Sequence, residues 1–158
     1  MRSNWGNLAS VAGLLASIVA ASFAKRASTA AREARRAVLS NSLSEEINLA
    51  LKLAVEVTSL VDLGKHDLAR LRSNDLHERT LTIIVRWEKS LPITSKDNFE
   101  KARFQLETLR SVVSRLGANA VPTARQLAHM QASCEKIRDI FVEEHASAMR
   151  RNDEADNG

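Results

Sequence analysis

The sequence predicts an all-α protein in which a long N-terminal transmembrane and stalk helix precedes an antiparallel four-helix bundle. Aromatic residues make up only 4% of the 158 residues, and there are five glycines and two prolines. This composition disfavours sheets and turn-rich folds. Residues 8–24 carry no charge. Beyond residue 40, apolar residues recur at spacings of three and four in segments joined by short polar loops, which is typical of a bundle.

The uncharged stretch approaches the width of a bilayer. As a helix it would span about 26 Å, against a hydrocarbon core of about 30 Å. An aromatic residue precedes the stretch and cations follow it, as at the two interfaces of a membrane. The predicted membrane-interface residues are Trp5, Lys25, Arg26, Arg32, Arg35 and Arg36.

A cleaved signal peptide and a soluble or interfacial helix are the alternatives for this segment. Ser22, Phe23 and Ala24 form an acceptable small-x-small cleavage site. However, only Arg2 precedes the apolar stretch, whereas five cations follow within twelve residues of Ala24. Dense positive charge at that place resists translocation, so the asymmetry favours an uncleaved single-pass anchor with its C-terminal side in the cytoplasm.

Small residues form one seam along the N-terminal helix, found by stepping alternately four and three residues. The seam consists of Gly6, Ser10, Gly13, Ser17, Ala20, Ala24, Ala27, Ala31 and Ala34. Small residues let helices in lipid approach closely, so a homo-oligomer is predicted. A dimer or trimer would be a closed anchor, whereas a larger ring would enclose a pore. The alternative is chance, because small residues are abundant in this window.

The positive charge of the chain is confined to its N-terminal segment. Residues 1–40 contain six basic side chains and one acidic side chain, whereas the remaining residues contain 17 basic and 18 acidic ones. A nearly neutral body makes nucleic acid unsuitable as the main ligand and leaves membrane lipid as the expected partner of the basic segment. A cytosolic protein bound to the bundle is a further expected partner.

The bundle is expected over residues 41–150, after an N-terminal domain of residues 1–40 and before a disordered tail of residues 151–158. Its first helix should run from about residue 43 to 63, with Ser42 and Ser44 as start signals and Gly64 as the stop. The inward residues expected in it are Ile47, Leu51, Ala54, Val55 and Val61.

The other three bundle helices follow the same apolar spacing. The second should end at Pro92, with an interruption near Asn74 as an alternative; the third should begin with Ser95 as N-cap and end at Gly117; the fourth should end near Met149. The inward residues expected in them are Leu68, Leu71, Leu76, Ile83, Ile84, Trp87, Phe99, Ala102, Leu106, Leu109, Val113, Leu116, Leu127, Met130, Cys134, Ile137 and Phe141.

The sequence predicts neither a metal site nor a cofactor. None of the four histidines has a glutamate three residues earlier, the spacing that places two metal ligands on one helix face. Cys134 is the single cysteine, so it cannot form an internal disulfide, and its position on an apolar stripe predicts a buried structural thiol.

Arg72 and His77, in the segment RSNDLH, match a pattern of small α-helical ribonuclease domains of the HEPN class, an arginine separated from a later histidine by four to six residues. The resemblance implies a histidine acting as acid and base and an arginine stabilising phosphate. The alternative is a solvated arginine and a surface or capping histidine. Arg70 with His77, and Arg138 with His145, fit the pattern as well. The sequence leans away from an enzyme.

The layout of a membrane helix followed by a helical bundle is similar to that of small membrane-anchored accessory and effector proteins of bacterial antiviral systems. It most resembles the accessory membrane proteins of RNA-targeting CRISPR loci, with a degenerate HEPN-like motif. The resemblance implies an oligomeric, pore-forming protein of the bacterial inner membrane. A membrane-tethered adaptor that binds a cytosolic partner through its bundle is the alternative function, and a HEPN-like ribonuclease is the second alternative.

Overall fold

The structure is a computed structural model that describes residues 4–116 and 121–156. The side chains of residues 4–16, 18, 19, 36 and 154–156 lie outside that description. Every regular element of the described ranges is an α-helix, which confirms the all-α class. The helices are α1 (Asn4–Asp62), α2 (His66–Arg86), α3 (Ile93–Arg115) and α4 (Ala124–Asp156). The chain divides into two compact units, residues 1–39 and 40–158.

The transmembrane prediction falls largely on side chains outside the described set. Residues 8–24 are helical, but the side chains of residues 8–16, 18 and 19 are not described. Among the described residues, no helix combines the length and the apolar character that a membrane span needs.

The prediction that a new helix starts at Ser42 or Ser44 is wrong, because α1 continues without a break from Asn4 to Asp62. The serines of this region do not cap a helix. Ser44 is buried, and its hydroxyl contacts the Met149 sulfur of α4 at 3.5 Å. Ser40 donates a hydrogen bond to the side-chain oxygen of Asn152. The hydroxyl groups are therefore used for packing between helices.

The predicted stop at Gly64 is confirmed. Gly64 has a φ of 68°, in the left-handed region that glycine tolerates best. The Lys65 amide donates to the Leu60 carbonyl at 2.8 Å, and the Gly64 amide donates to the Val61 carbonyl at 3.1 Å. This pair of bonds is the Schellman motif, which satisfies the last carbonyls of α1 and turns the chain into α2.

The boundaries of α2 and α3 differ from those that the sequence suggested. α2 ends at Arg86, so the prediction that it ends at Pro92 is wrong, and it is uninterrupted at Asn74. α3 begins at Ile93, directly after Pro92. Pro92 is the N-cap, with its φ of −57° set by the ring, so Ser95 lies inside the helix and is buried. The predicted stop at Gly117 lies outside the described residues.

α4 begins with a capping box that the sequence analysis missed. The Thr123 hydroxyl accepts from the Gln126 amide at 3.2 Å, and the Gln126 side-chain oxygen accepts from the Thr123 amide at 2.8 Å. The helix then continues to Asp156, so the prediction that it ends near Met149 is wrong. It extends through residues 151–156, where a disordered tail was predicted. In this segment the Asn152 side chain forms hydrogen bonds with Ser40 and Asn41 of α1.

Residues 40–62 of α1 form a four-helix bundle with α2, α3 and α4. Glu46 of α1 accepts hydrogen bonds from Arg86, the last residue of α2, and from Nε1 of the next residue, Trp87, at 2.8 Å. Glu56 of α1 pairs with Arg72 near the start of α2. This pairing makes the two helices antiparallel. α1 and α4 are antiparallel as well, because Ser40 lies beside Asn152 at one end and Asp62 lies beside Gln131 at the other.

The apolar stripes meet in a single core, as predicted for a bundle. The largest fully buried side chains are those of Phe99, Phe141, Ile47, Leu76, Ile83, Leu106, Leu109, Met130, Ile137, Val57, Val61 and Thr80. The rings of Phe99 and Phe141 pack 5.9 Å apart between α3 and α4. Burying each such side chain contributes about 1.5–3 kcal/mol to folding.

The inward face of α2 is the least well predicted. Leu68 and Leu71 are about half exposed, whereas Ser73 and Thr80 are fully buried. Each buried hydroxyl donates to a carbonyl of its own helix, at 2.8 Å for Ser73 and 2.7 Å for Thr80. Since the polar atoms are already satisfied, their burial costs little. Val55 of α1 was also expected inside and is exposed.

One carboxyl group lies in this core. Glu144 of α4 is 2% exposed, and its Oε1 accepts a hydrogen bond from Asn98 Nδ2 at 2.8 Å. Its Oε2 atom is buried without a hydrogen-bond partner. Burying an unpartnered polar atom costs about 1–3 kcal/mol, so this position weakens the bundle.

Replacing Glu144 with methionine should therefore leave the bundle as stable or make it more stable, by up to about 2 kcal/mol, because the buried oxygen is removed while the volume is kept. Urea unfolding followed by circular dichroism measures the change. Glu143→Met is the matched control, since Glu143 is the exposed neighbour and its change should stay within about 0.5 kcal/mol. A clear loss of stability in Glu144→Met alone would show that the carboxyl group is needed.

Candidate functional site

The predicted seam and interface residues lie in the N-terminal unit, residues 1–39. Every residue from 20 to 35 is exposed, including the seam residues Ala20, Ala24, Ala27, Ala31 and Ala34, and Ser17 is exposed as well. The cations Lys25, Arg26, Arg32 and Arg35 are also exposed. Gly6, Ser10, Gly13, Trp5 and Arg36 are helical, but their side chains lie outside the described residues. Side chains on all sides of the helix are therefore exposed from residue 20 to residue 35.

Arg72 lies on the side of α2 that faces α1. Its Nε donates to Glu56 at 2.9 Å, and its Nη1 donates to Asp75 at 3.1 Å. The hydrogen bond to Asp75 and the charge of Glu56 raise the pKa of Arg72 above its ordinary value. Arg72 is therefore held between Glu56 and Asp75 through its Nε and Nη1 atoms.

His77 lies on another side of α2, beside α3. Its Nε2 atom is buried without a hydrogen-bond partner, 3.7 Å from Glu107 Oε1. A separation of five residues places Arg72 about 140° around the helix from His77. The structure therefore does not bring Arg72 and His77 into one described groove.

Arg70, rather than Arg72, shares a helix face with His77. Residues four and seven apart lie on one side of a helix, so Arg70, Asn74 and His77 form a row along α2. Arg70 and Asn74 line a groove between α2 and α3 that has a volume of about 470 Å³. The lining residues from α3 are Glu107, Arg110, Ser111 and Ser114. His77 adjoins the groove through Glu107.

Of the residues that line this groove, the sequence analysis identified only Arg70 as a candidate, in an alternative match to the HEPN pattern. The spacing from Arg70 through Asn74 to His77 was the signal that could have identified the α2 side. Nothing in the sequence indicated that Glu107 and Arg110 of α3 would face that row, because the pairing of two helices depends on their tertiary packing.

Neither metal-binding nor nucleophilic chemistry is indicated by the described geometry. Residues 4–116 and 121–156 include no group of three or more histidine, cysteine, aspartate or glutamate side chains that could hold a metal ion. Cys134 is buried, at 2% exposure. Burial, together with the charges of Asp62 and Glu135, raises the pKa of its thiol from 9.0 to about 12, and a hydrogen bond with Thr58 opposes the shift. The thiol is therefore structural at neutral pH.

Comparison with known proteins finds no family model, no curated protein and no solved structure that matches this chain. The resemblance to antiviral accessory proteins and to HEPN ribonucleases stays a prediction from the sequence.

The raised pKa of Cys134 predicts a pH dependence of stability. Between about pH 9 and 12 the folded state keeps the thiol proton while the unfolded state has lost it, so stability should fall as the pH rises through this range. Urea unfolding across that range, compared with Cys134→Val, measures the contribution. The wild-type protein should lose stability more steeply than the variant, and parallel curves would contradict the assignment.

Proposed function

We propose that this protein is an oligomeric single-pass membrane protein whose N-terminal helix anchors and assembles it, with the bundle as its cytoplasmic domain. The observation that carries the proposal is the exposure of every side chain from residue 20 to 35 within a continuous helix. Most of the stability of helices in proteins comes from packing rather than from intrinsic propensity, so we expect such a segment to pack against something outside itself.

A lipid bilayer is the partner that the composition of this segment fits best. Leu8 to Ala24 is without charge, and a helix satisfies its own backbone hydrogen bonds in lipid. The exposed cations from Lys25 to Arg35 follow directly, where anionic headgroups would lie, and each could add about 1 kcal/mol of attraction. Phe23, at 64% exposure, has an apolar ring that gains from burial in lipid.

A second copy of the chain is the partner proposed for the small-residue seam. Ser17, Ala20 and Ala24 are exposed along one side of the helix, the side on which a neighbouring helix in the membrane would pack. Close backbone approach is a main source of helix association in lipid, because lipid tails are as apolar as the side chains. The number of copies decides between a closed anchor, suited to tethering a cytosolic partner, and a pore.

The ribonuclease alternative gains no support from the positions of Arg72 and His77, since the two residues lie about 140° apart around α2 and share no described groove. We therefore place the membrane-anchored oligomer first, in its pore-forming or tethering form, and keep a bundle-bound protein as the expected cytosolic partner.

Membrane insertion is tested by expressing the full chain in bacteria and extracting the membranes with alkaline carbonate. The protein should stay in the membrane pellet, because an inserted helix is not released by high pH or by loss of electrostatic attraction. Replacing Ile18 and Val19 with aspartate should release it, since each buried charge costs about 2.5–3.5 kcal/mol. Complete extraction of the unmodified chain would contradict the anchor.

Assembly through the seam is tested by comparing two serine-to-leucine variants of the same helix. Ser17 lies on the seam, and Ser22 lies about 140° around the helix from it. Ser17→Leu should shift the full-length protein in detergent towards smaller species in light scattering, because the larger side chain separates the backbones. Ser22→Leu adds the same bulk and should leave the size unchanged.

The outcomes of this comparison separate the proposals. If neither variant changes the size, the seam does not mediate assembly. If the unmodified oligomer is a ring that also releases dye from vesicles, the pore form is supported, and a closed dimer that leaves vesicles intact supports the tether.

A further inference from the structure

We propose that the groove between α2 and α3 binds a small phosphorylated ligand. This goes beyond the membrane proposal and rests on other residues. The groove has a volume of about 470 Å³, within the range of small-molecule sites. Its walls are formed by Arg70, Asn74, Glu107, Arg110, Ser111 and Ser114.

Two guanidinium groups in this groove have no partner within the described part of the chain. Arg70 on α2 and Arg110 on α3 form no ion pair and no side-chain hydrogen bond with any described residue. By contrast, Arg72 on the neighbouring side of α2 pairs with two carboxylates. Guanidinium groups bind phosphate oxygens through short, charge-assisted hydrogen bonds, so two free ones on facing helices favour a phosphate between them.

Neutral donors supplement the two cations. The Asn74 side-chain amide and the Ser111 hydroxyl line the groove without a side-chain partner among the described residues. The Ser114 hydroxyl donates to the Ser111 carbonyl at 3.1 Å, so its proton is not counted among the donors to a phosphate. A phosphate group has several oxygens that accept, so this mixture of charged and neutral donors matches it.

Glu107 is the one carboxylate in the lining, and its charge is already engaged. Arg103 Nη1 lies 3.5 Å from Glu107 Oε1, and His77 Nε2 lies 3.7 Å from the same oxygen. The repulsion that Glu107 would exert on an anion is therefore reduced by Arg103.

The groove differs from its surroundings in both charge and composition. Residues 41–158 carry 17 basic and 18 acidic side chains, so a site with two arginines and one engaged carboxylate is locally more positive than the rest of the body. No aromatic side chain lines it. Recognition of single-stranded RNA relies on stacking of bases on aromatic rings, so the groove fits a small phosphate compound better than RNA.

The test uses the full-length protein in neutral detergent and inorganic pyrophosphate as the probe, with affinity measured by isothermal titration calorimetry at constant ionic strength. The variant Arg70→Gln/Arg110→Gln should weaken binding by at least about tenfold, because hydrogen bonds to a charged group are lost at two positions. The matched control is Arg125→Gln/Arg150→Gln, which removes two exposed arginines of α4 and the same net charge. It should bind like the unmodified protein.

Three results would overturn the proposal: no binding of pyrophosphate by the unmodified protein, equal weakening in both double variants, or binding of an RNA oligonucleotide at the groove without binding of pyrophosphate. Equal weakening would mean that the probe responds to net charge rather than to a site. Circular dichroism checks that each variant is folded. All four arginines are exposed or half-exposed, so their replacement should not unfold the bundle, and a loss of pyrophosphate binding in the groove variant alone reports on the site.

Discussion

Burial of one apolar stripe from each of four helices is the constraint on which the described structure of the bundle depends. Leu106 and Leu109 of α3 are completely buried, as are Ile47 of α1, Ile83 of α2 and Ile137 of α4 to within 1%. Because one face of each helix is committed to this core, the remaining faces are fixed as well. The grooves between neighbouring helices and the charges that line them follow from that arrangement.

Some charged residues of the bundle form ion pairs between helices, whereas others have no ion-pair partner among the described residues. Glu46 and Glu56 of α1 bind Arg86 and Arg72 of α2, so two ion pairs join these helices across the α1–α2 groove. Across α2, in the groove towards α3, Arg70 and Arg110 lack such partners among the described residues. Exposed ion pairs contribute little to stability, so this difference matters more for ligand binding than for folding.

The N-terminal unit obeys a different constraint. Every side chain from residue 20 to 35 is exposed, so no internal core accounts for the helical form of that segment. A bilayer and neighbouring copies would supply the missing contacts, and the basic residues after Ala24 would fix the orientation. The proposed anchor and the proposed phosphate site therefore rest on separate physical grounds.

The sequence by itself determined the helical class, most of the core and the stop at Gly64, since these depend on composition, spacing and the left-handed conformation that glycine allows. It also contained the Thr123 capping box, which was overlooked although its two residues are only three apart. Such features are local, so a single sequence is enough to specify them.

Only the tertiary structure decided which residues serve each face. It placed Ser44, a predicted helix start, against Met149 of α4, and it buried Ser73 and Thr80 in place of Leu68 and Leu71. It also set Arg70, rather than Arg72, in the groove between α2 and α3. It also placed Glu144 in the core against Asn98. The physical reason is the same each time: the packing of neighbouring helices decides which side of a helix is buried, and the sequence does not specify those neighbours.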